Sequence, residues 1–188
     1  FHCMIRPRSG GFSYGEADLA QMLHDIDMAR DLGLAGVVFG ALTDEGALDS
    51  HVLQRLSRHA TGLDLTLHRA FDCCGPDFDR AVDTAIELGF DRVVTSGGEN
   101  TALEGLAALE RIFAKAGTRI TIMPGSGVSA DNVSTIATRL PVREIHASCS
   151  TAFPVSAAAE NRLGFATEHA RQTDAVKVRA LKAALAAV

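Results

Sequence analysis

Apolar and polar positions along this chain alternate between two rhythms. Six short runs with a two-residue period read as strands: His2–Arg6, Gly36–Gly40, Asp64–Arg69, Arg92–Ser96, Arg119–Pro124 and Arg143–Ser148. They are rich in Val and Ile and bounded by turn residues. They begin at residues 2, 36, 64, 92, 119 and 143, so successive starts lie 34, 28, 28, 27 and 24 residues apart. Each gap carries a helical pattern. In the first, Leu19, Met22, Leu23, Ile26 and Ala29 form a stripe that a Ser13-x-x-Glu16 capping box opens and Gly33 ends. The second helix is expected from Asp49 to Ala60, the third from Pro76 to Gly89. A Thr101-x-x-Glu104 capping box precedes the fourth, which ends at Gly117. The fifth starts near Ser129 and closes before Pro141. Cys149 to Gln172 reads as irregular, and an alanine-rich helix follows from Thr173.

Strict β–α alternation means parallel strands joined by right-handed crossovers. The first strand–helix turn lacks the GxGxxG of a dinucleotide-binding sheet. Polar residues on one face of several strands favour a barrel, whose interior is lined by alternate residues of every strand. A complete barrel takes about 250 residues, roughly 31 per unit. The expected fold is therefore α/β: a (β/α)8 TIM-like barrel of which residues 1–188 form one domain carrying six strand–helix units. The chain opens on Phe1, already inside a strand pattern, so the first two units are expected to be missing. Two exposed strand edges would follow, and with them instability or self-association.

Composition narrows the partners. The net charge of -5 and pI of about 5.8 argue against nucleic acid, which needs a basic face. No apolar run reaches the roughly 20 residues that span a bilayer. No signal peptide opens the chain, and a cytoplasmic location is expected. Cys3, Cys73, Cys74 and Cys149 have neither CxxC nor zinc-ribbon spacing and read as reduced thiols.

Barrels place their chemistry at the C-terminal strand ends. Alternation points Met4, Arg6, Thr66, His68, Thr121, Met123, Glu144, His146 and Ser148 inward. Leu65, Leu67, Ile120, Ile122, Ile145 and Ala147 point toward the helices. Two strand ends run into glycine turns, Ser96-Gly97-Gly98 and Gly125-Ser126-Gly127, whose N–H groups suit an anion or simply a tight turn. Three chemistries remain open. Arg6, Arg8, Arg69 and the two turns could bind a phosphorylated or carboxylate ligand. His68 and Asp72 could act as general base and orienting acid. His68 and His146 with Met4 and Met123 make a soft set suited to Cu(I), although no HxH or HxxxH spacing supports a preformed metal site.

The blocks Met4-Ile-Arg-Pro-Arg8, Gly36-Val-Val-Phe-Gly-Ala-Leu-Thr43, His68-Arg-Ala-Phe-Asp72, Thr95-Ser-Gly-Gly98, Ala102-Leu-Glu-Gly105, Met123-Pro-Gly-Ser-Gly-Val128 and His146-Ala-Ser148 together resemble the CutC copper homeostasis family. The resemblance covers nearly the whole chain. It implies a cytoplasmic (β/α)8 barrel, a homo-oligomer, a link to copper tolerance and Cu(I) as a ligand. It implies no reaction. The family pattern begins with two further units carrying cysteine and glutamate at their strand ends, which have no counterpart here. Its glycine-rich turn usually reads Pro-Gly-Gly-Gly, whereas this chain has Ser126.

Overall fold

The computed structural model describes residues 1–152, 159, 162–164 and 170–187. Five parallel strands form one sheet in sequence order: β1 (His2–Met4), β2 (Gly36–Phe39), β3 (Asp64–Leu67), β4 (Arg92–Thr95) and β5 (Thr121–Pro124). Between them run α1 (Glu16–Asp31), α2 (Ser50–His59), α3 (Phe78–Glu87) and α4 (Leu106–Ala116), and α5 (Val133–Arg139) follows β5. This is part of a (β/α)8 barrel. The register aligns Met4 with Val38, Val38 with Thr66, Thr66 with Arg92, and Val94 with Met123. One face of the sheet thus carries a continuous row of these residues. The other face carries Val37, Phe39, Leu65, Leu67, Val93 and Ile122.

That second face makes the main core. It packs on Leu19, Met22 and Ile26 of α1, Leu53 and Leu56 of α2, Val82 and Ala85 of α3, and Ile112 of α4. Fully burying each such aliphatic side chain contributes about 1.5–3 kcal/mol relative to exposure. A second cluster joins α4, α5 and the last helix through Leu109, Val133, Ile136, Leu140 and Leu181.

Several element ends differ from the pattern-based expectation. α1 is capped by Gly15 and Asp18, whose carboxylate accepts the Gly15 N–H, because the Ser13 hydroxyl donates instead to Asp44. α3 begins at Phe78, since a short 3-10 helix (Arg69–Cys74) occupies the chain directly after β3. The Thr101/Glu104 box does form reciprocally, with Glu104 accepting the Thr101 N–H and Thr101 Oγ1 accepting the Glu104 N–H. α4 itself begins only at Leu106.

The expected sixth strand, Arg143–Ser148, is not a strand. It follows β5 through one backbone hydrogen bond, His146 N–H to Pro124 O, and a single bond does not make a ladder. The stretch read as irregular contains an antiparallel pair, β6 (Ser150–Ala152) and β7 (Arg171–Thr173). The rest of Cys149–Gln172 lies largely outside the described residues. α6 (Ala175–Ala186) packs mainly through Leu181 and Ala184. No helix among the described residues is long and apolar enough to cross a membrane.

Candidate functional site

The inward row of the sheet opens onto a cavity of about 750 Å³. Met4, Val38, Val94 and Met123 form its apolar middle, and Phe12 overhangs it. Arg6, His68, Arg69 and His146 sit toward the C-terminal strand ends. Toward the N-terminal ends, Arg92 is held by Glu144 at 2.9 Å, by Asp64 at 3.7 Å and by the Thr66 hydroxyl at 3.2 Å. The alternation in the sequence anticipates this lining for Met4, Arg6, Thr66, His68, Met123, Glu144 and His146.

His68 is the pivot of the site. β3 stops at Leu67 because His68 turns the chain into the 3-10 helix and caps it. Its Nδ1 accepts the Ala70 N–H at 3.2 Å. With Nδ1 accepting, the ring proton of the neutral imidazole lies on Nε2. That Nε2 is buried and, among the described residues, has no hydrogen-bond partner. Burial pushes the His68 pKa down to about 4, and the nearby Arg6 charge pushes in the same direction. His68 therefore presents an uncharged N–H donor rather than a base. Gly40 makes room for the ring, since a Cβ there would lie 2.6 Å from its Cε1 and Nδ1. Phe12 packs on the ring with centroids 4.9 Å apart, and the Arg6 guanidinium lies 4.7 Å from the centre of Phe12.

The expected His68–Asp72 pair does not form. The Asp72 carboxylate points instead at the first glycine turn. It accepts hydrogen bonds from the Ser96 N–H at 3.0 Å, the Gly98 N–H at 3.2 Å and the Thr95 hydroxyl, and it pairs with Arg69 Nε at 2.6 Å. Gly97 N–H is taken by Thr95 Oγ1. The turn Ser96–Gly98 thus cradles an anion that the protein itself supplies, leaving no open cradle for a ligand. Gly105 is required beside it, because a Cβ there would lie 1.8 Å from Ser96 O.

Arg8 also leaves the expected group. It pairs with Asp18 at 3.1 Å, donates to Ser13 O, and does not line the cavity. In the second turn Gly125 N–H is bonded to Thr95 O. Ser126 adopts φ 78°, the left-handed region, and its hydroxyl donates to Asn100 O at 2.7 Å. Local bonding of this kind lets a serine stand where glycine is the ordinary choice. Gly125, Ser126 and Gly127 do not line the cavity. Of the expected anion-binding residues, only Arg6 and Arg69 meet His68 there, and Arg69 is already paired with Asp72.

The four expected copper ligands, His68, His146, Met4 and Met123, all line the cavity. A metal needs a lone pair, however, and the proton on His68 Nε2 occupies the one facing inward. His146 is exposed and both thioethers are present, so a soft site would rest on Met4, Met123 and His146. Among the described residues no three His, Cys, Asp or Glu side chains cluster for a metal. The four cysteines are free thiols.

Sequence reasoning missed Phe12, Gly40 and Thr95. Phe12 lies in a loop without periodicity. Only the small residue closing the second strand hinted that something large approaches Gly40.

The fold and this cavity define a parallel β/α barrel-type protein with its polar groups gathered at the strand ends. Comparison narrows the class. The CutC family model matches residues 1–151, and the chain belongs to that family. A family protein CutC from Sinorhizobium medicae is 50% identical over 187 residues, covering 100% of this chain and 76% of the relative. One from Agrobacterium fabrum is 47% identical, covering 98% and 73%. The crystal structure of a candidate copper homeostasis protein CutC from Streptococcus agalactiae superposes with a TM-score of 0.74 at 33% identity, covering 77% of this chain and 70% of that one. An aldolase, 15% identical with a TM-score of 0.58, shares the fold alone.

Proposed function

We propose that this protein is an enzyme-type barrel that takes a small anionic metabolite on the concave face of its sheet. The observation that carries the reading is His68 Nε2–H, a buried donor beside the Arg6 guanidinium that has no partner among the described residues. Leaving such a donor unpaired costs about 1–3 kcal/mol, so an oxygen acceptor is the natural occupant of the space before it. An uncharged imidazole N–H can hold a carboxylate oxygen or polarise a carbonyl as negative charge builds on it. His68 then acts as donor and electrophile. Asp72 supports the site through Arg69 and the turn, not by orienting the imidazole. Arg6 supplies the balancing charge.

Calorimetric titration with acetate and inorganic phosphate tests this, on the full chain and on His68→Asn and Arg6→Gln. Asn keeps an acceptor for the Ala70 N–H and removes the Nε2–H donor. Either variant is expected to weaken anion binding about tenfold or more, the range of one charge-assisted hydrogen bond. Absence of binding, or equal binding by both variants, overturns the reading.

A second reading follows from family membership and from the copper homeostasis description of the Streptococcus agalactiae neighbour. Cu(I) would be held by the thioethers of Met4 and Met123 with His146, which share the cavity wall. Competition against a Cu(I) chelator tests it. Unchanged affinity in a Met4→Leu, Met123→Leu double variant would exclude this site.

A further inference from the structure

The cavity also constrains what kind of anion it takes, provided the anion reading above holds. Its charges are distributed unequally. At the C-terminal end Arg69 is paired with Asp72 at 2.6 Å. Arg6 bonds the Gly10 carbonyl, stacks on Phe12 and lies beside the Tyr14 hydroxyl. Among the described residues, it has no carboxylate within ion-pair distance. At the other end Arg92 is compensated by Glu144 and Asp64. Among the described residues, a guanidinium without a carboxylate partner therefore faces the cavity, and it stands beside the unpaired His68 Nε2–H. Between the ends, the wall is Met4, Val38, Val94 and Met123, with Phe12 above. The Thr66 hydroxyl beside Val38 is already engaged by Arg92, so this middle favours an apolar group over a sugar hydroxyl or a second phosphate. Thioethers and an aromatic edge favour a flat or branched hydrocarbon body. The volume of about 750 Å³ lies within the range of small-molecule sites.

We infer that the ligand is a monocarboxylate with an apolar, preferably aromatic body: its carboxylate bridges Arg6 and His68 Nε2–H, and its body lies along Met4, Val38, Val94 and Met123. A second anionic group at the far end would meet Glu144 and an Arg92 already paired with carboxylates, rather than a free cation.

The test is calorimetric titration of the full chain with benzoate, acetate, terephthalate and inorganic phosphate. Benzoate is expected to bind about tenfold tighter than acetate, the worth of burying one ring face. Terephthalate, which adds a carboxylate opposite the first, is expected to bind about tenfold weaker than benzoate. Val38→Thr, which keeps volume while adding a hydroxyl to the wall, should weaken benzoate several-fold and leave acetate unchanged. A preserved unfolding transition in that variant shows that the wall alone was altered.

The arms separate the two claims. If acetate or phosphate binds as tightly as benzoate and Arg6→Gln abolishes both, the apolar body is refuted while the anion site stands. Terephthalate binding as tightly as benzoate refutes the single-headed ligand. Benzoate binding that Arg6→Gln leaves unchanged refutes the assigned pose. If no probe binds, both this inference and the anion site fall.

Discussion

Replacing Asp72 tests the internal anion most directly. Its side chain is only 9% exposed and accepts from the buried Ser96 N–H, the exposed Gly98 N–H, the Thr95 and Ser96 hydroxyls and the Arg69 guanidinium. Asp72→Ala strands the buried Ser96 N–H and Thr95 hydroxyl, whereas the exposed Gly98 N–H can turn to water and the Ser96 hydroxyl keeps Glu99 O. Arg69 is 42% exposed and can turn to water, so its loss adds little. Two stranded buried donors at about 1–2 kcal/mol each set the expected loss near 2–4 kcal/mol. For a chain of this length that lowers Tm by roughly 6–12 °C. Asp72→Asn is milder. Its amide oxygen can keep the bonds that Oδ1 accepts, and only the nitrogen faces Arg69 Nε wrongly. About 1–2 kcal/mol is expected. Urea unfolding followed by circular dichroism, with thermal melts alongside, measures both variants. An Ala variant melting within about 3 °C of the parent would refute the carboxylate as the anchor of this turn. So would an Asn variant as damaged as Ala, since the argument rests on the acceptor rather than on the charge.

Three further outcomes follow from the same geometry. The His68 pKa is depressed to about 4, so between pH 6.5 and 4 the unfolded chain binds a proton that the folded chain does not. Stability should fall as pH drops through that window, by up to about 2–3 kcal/mol, and His68→Asn should flatten the fall in a urea series at pH 7 and pH 4.5. Gly40→Ala drives a methyl into the His68 ring. It should cost about 1–3 kcal/mol and lower anion affinity, and a ring resonance unmoved in NMR would contradict the contact. Ser126→Ala keeps the left-handed strain and loses the bond to Asn100, so it should cost about 1 kcal/mol by chemical denaturation, whereas Ser126→Gly exchanges that bond for relief of strain and should be near neutral.

The periodicity of the chain carried the architecture. A two-residue rhythm every 24 to 34 residues with helical stripes between them leaves few arrangements open, and the parallel sheet obeys it. Alternation within each strand also separated Met4, Thr66 and Met123 from Leu65, Leu67 and Ile122, because a strand turns successive side chains to opposite faces. The stretch Arg143–Ser148 looked equally strand-like, yet strand formation depends on neighbours that its own residues do not encode.

Partnership within the site was decided by tertiary structure. From sequence, His68 and Asp72 stand four residues apart and look like an acid–base pair. In the fold, a 3-10 turn swings Asp72 away to the N–H groups of Ser96 and Gly98, which come from another strand. The same turn gives His68 Nδ1 a backbone proton, and that bond sets which nitrogen faces the cavity. Residue types and spacing specify which groups reach the strand ends. Which of them satisfy one another, and which remain unpaired among the described residues, depends on distances that exist only once β3 and β4 lie side by side.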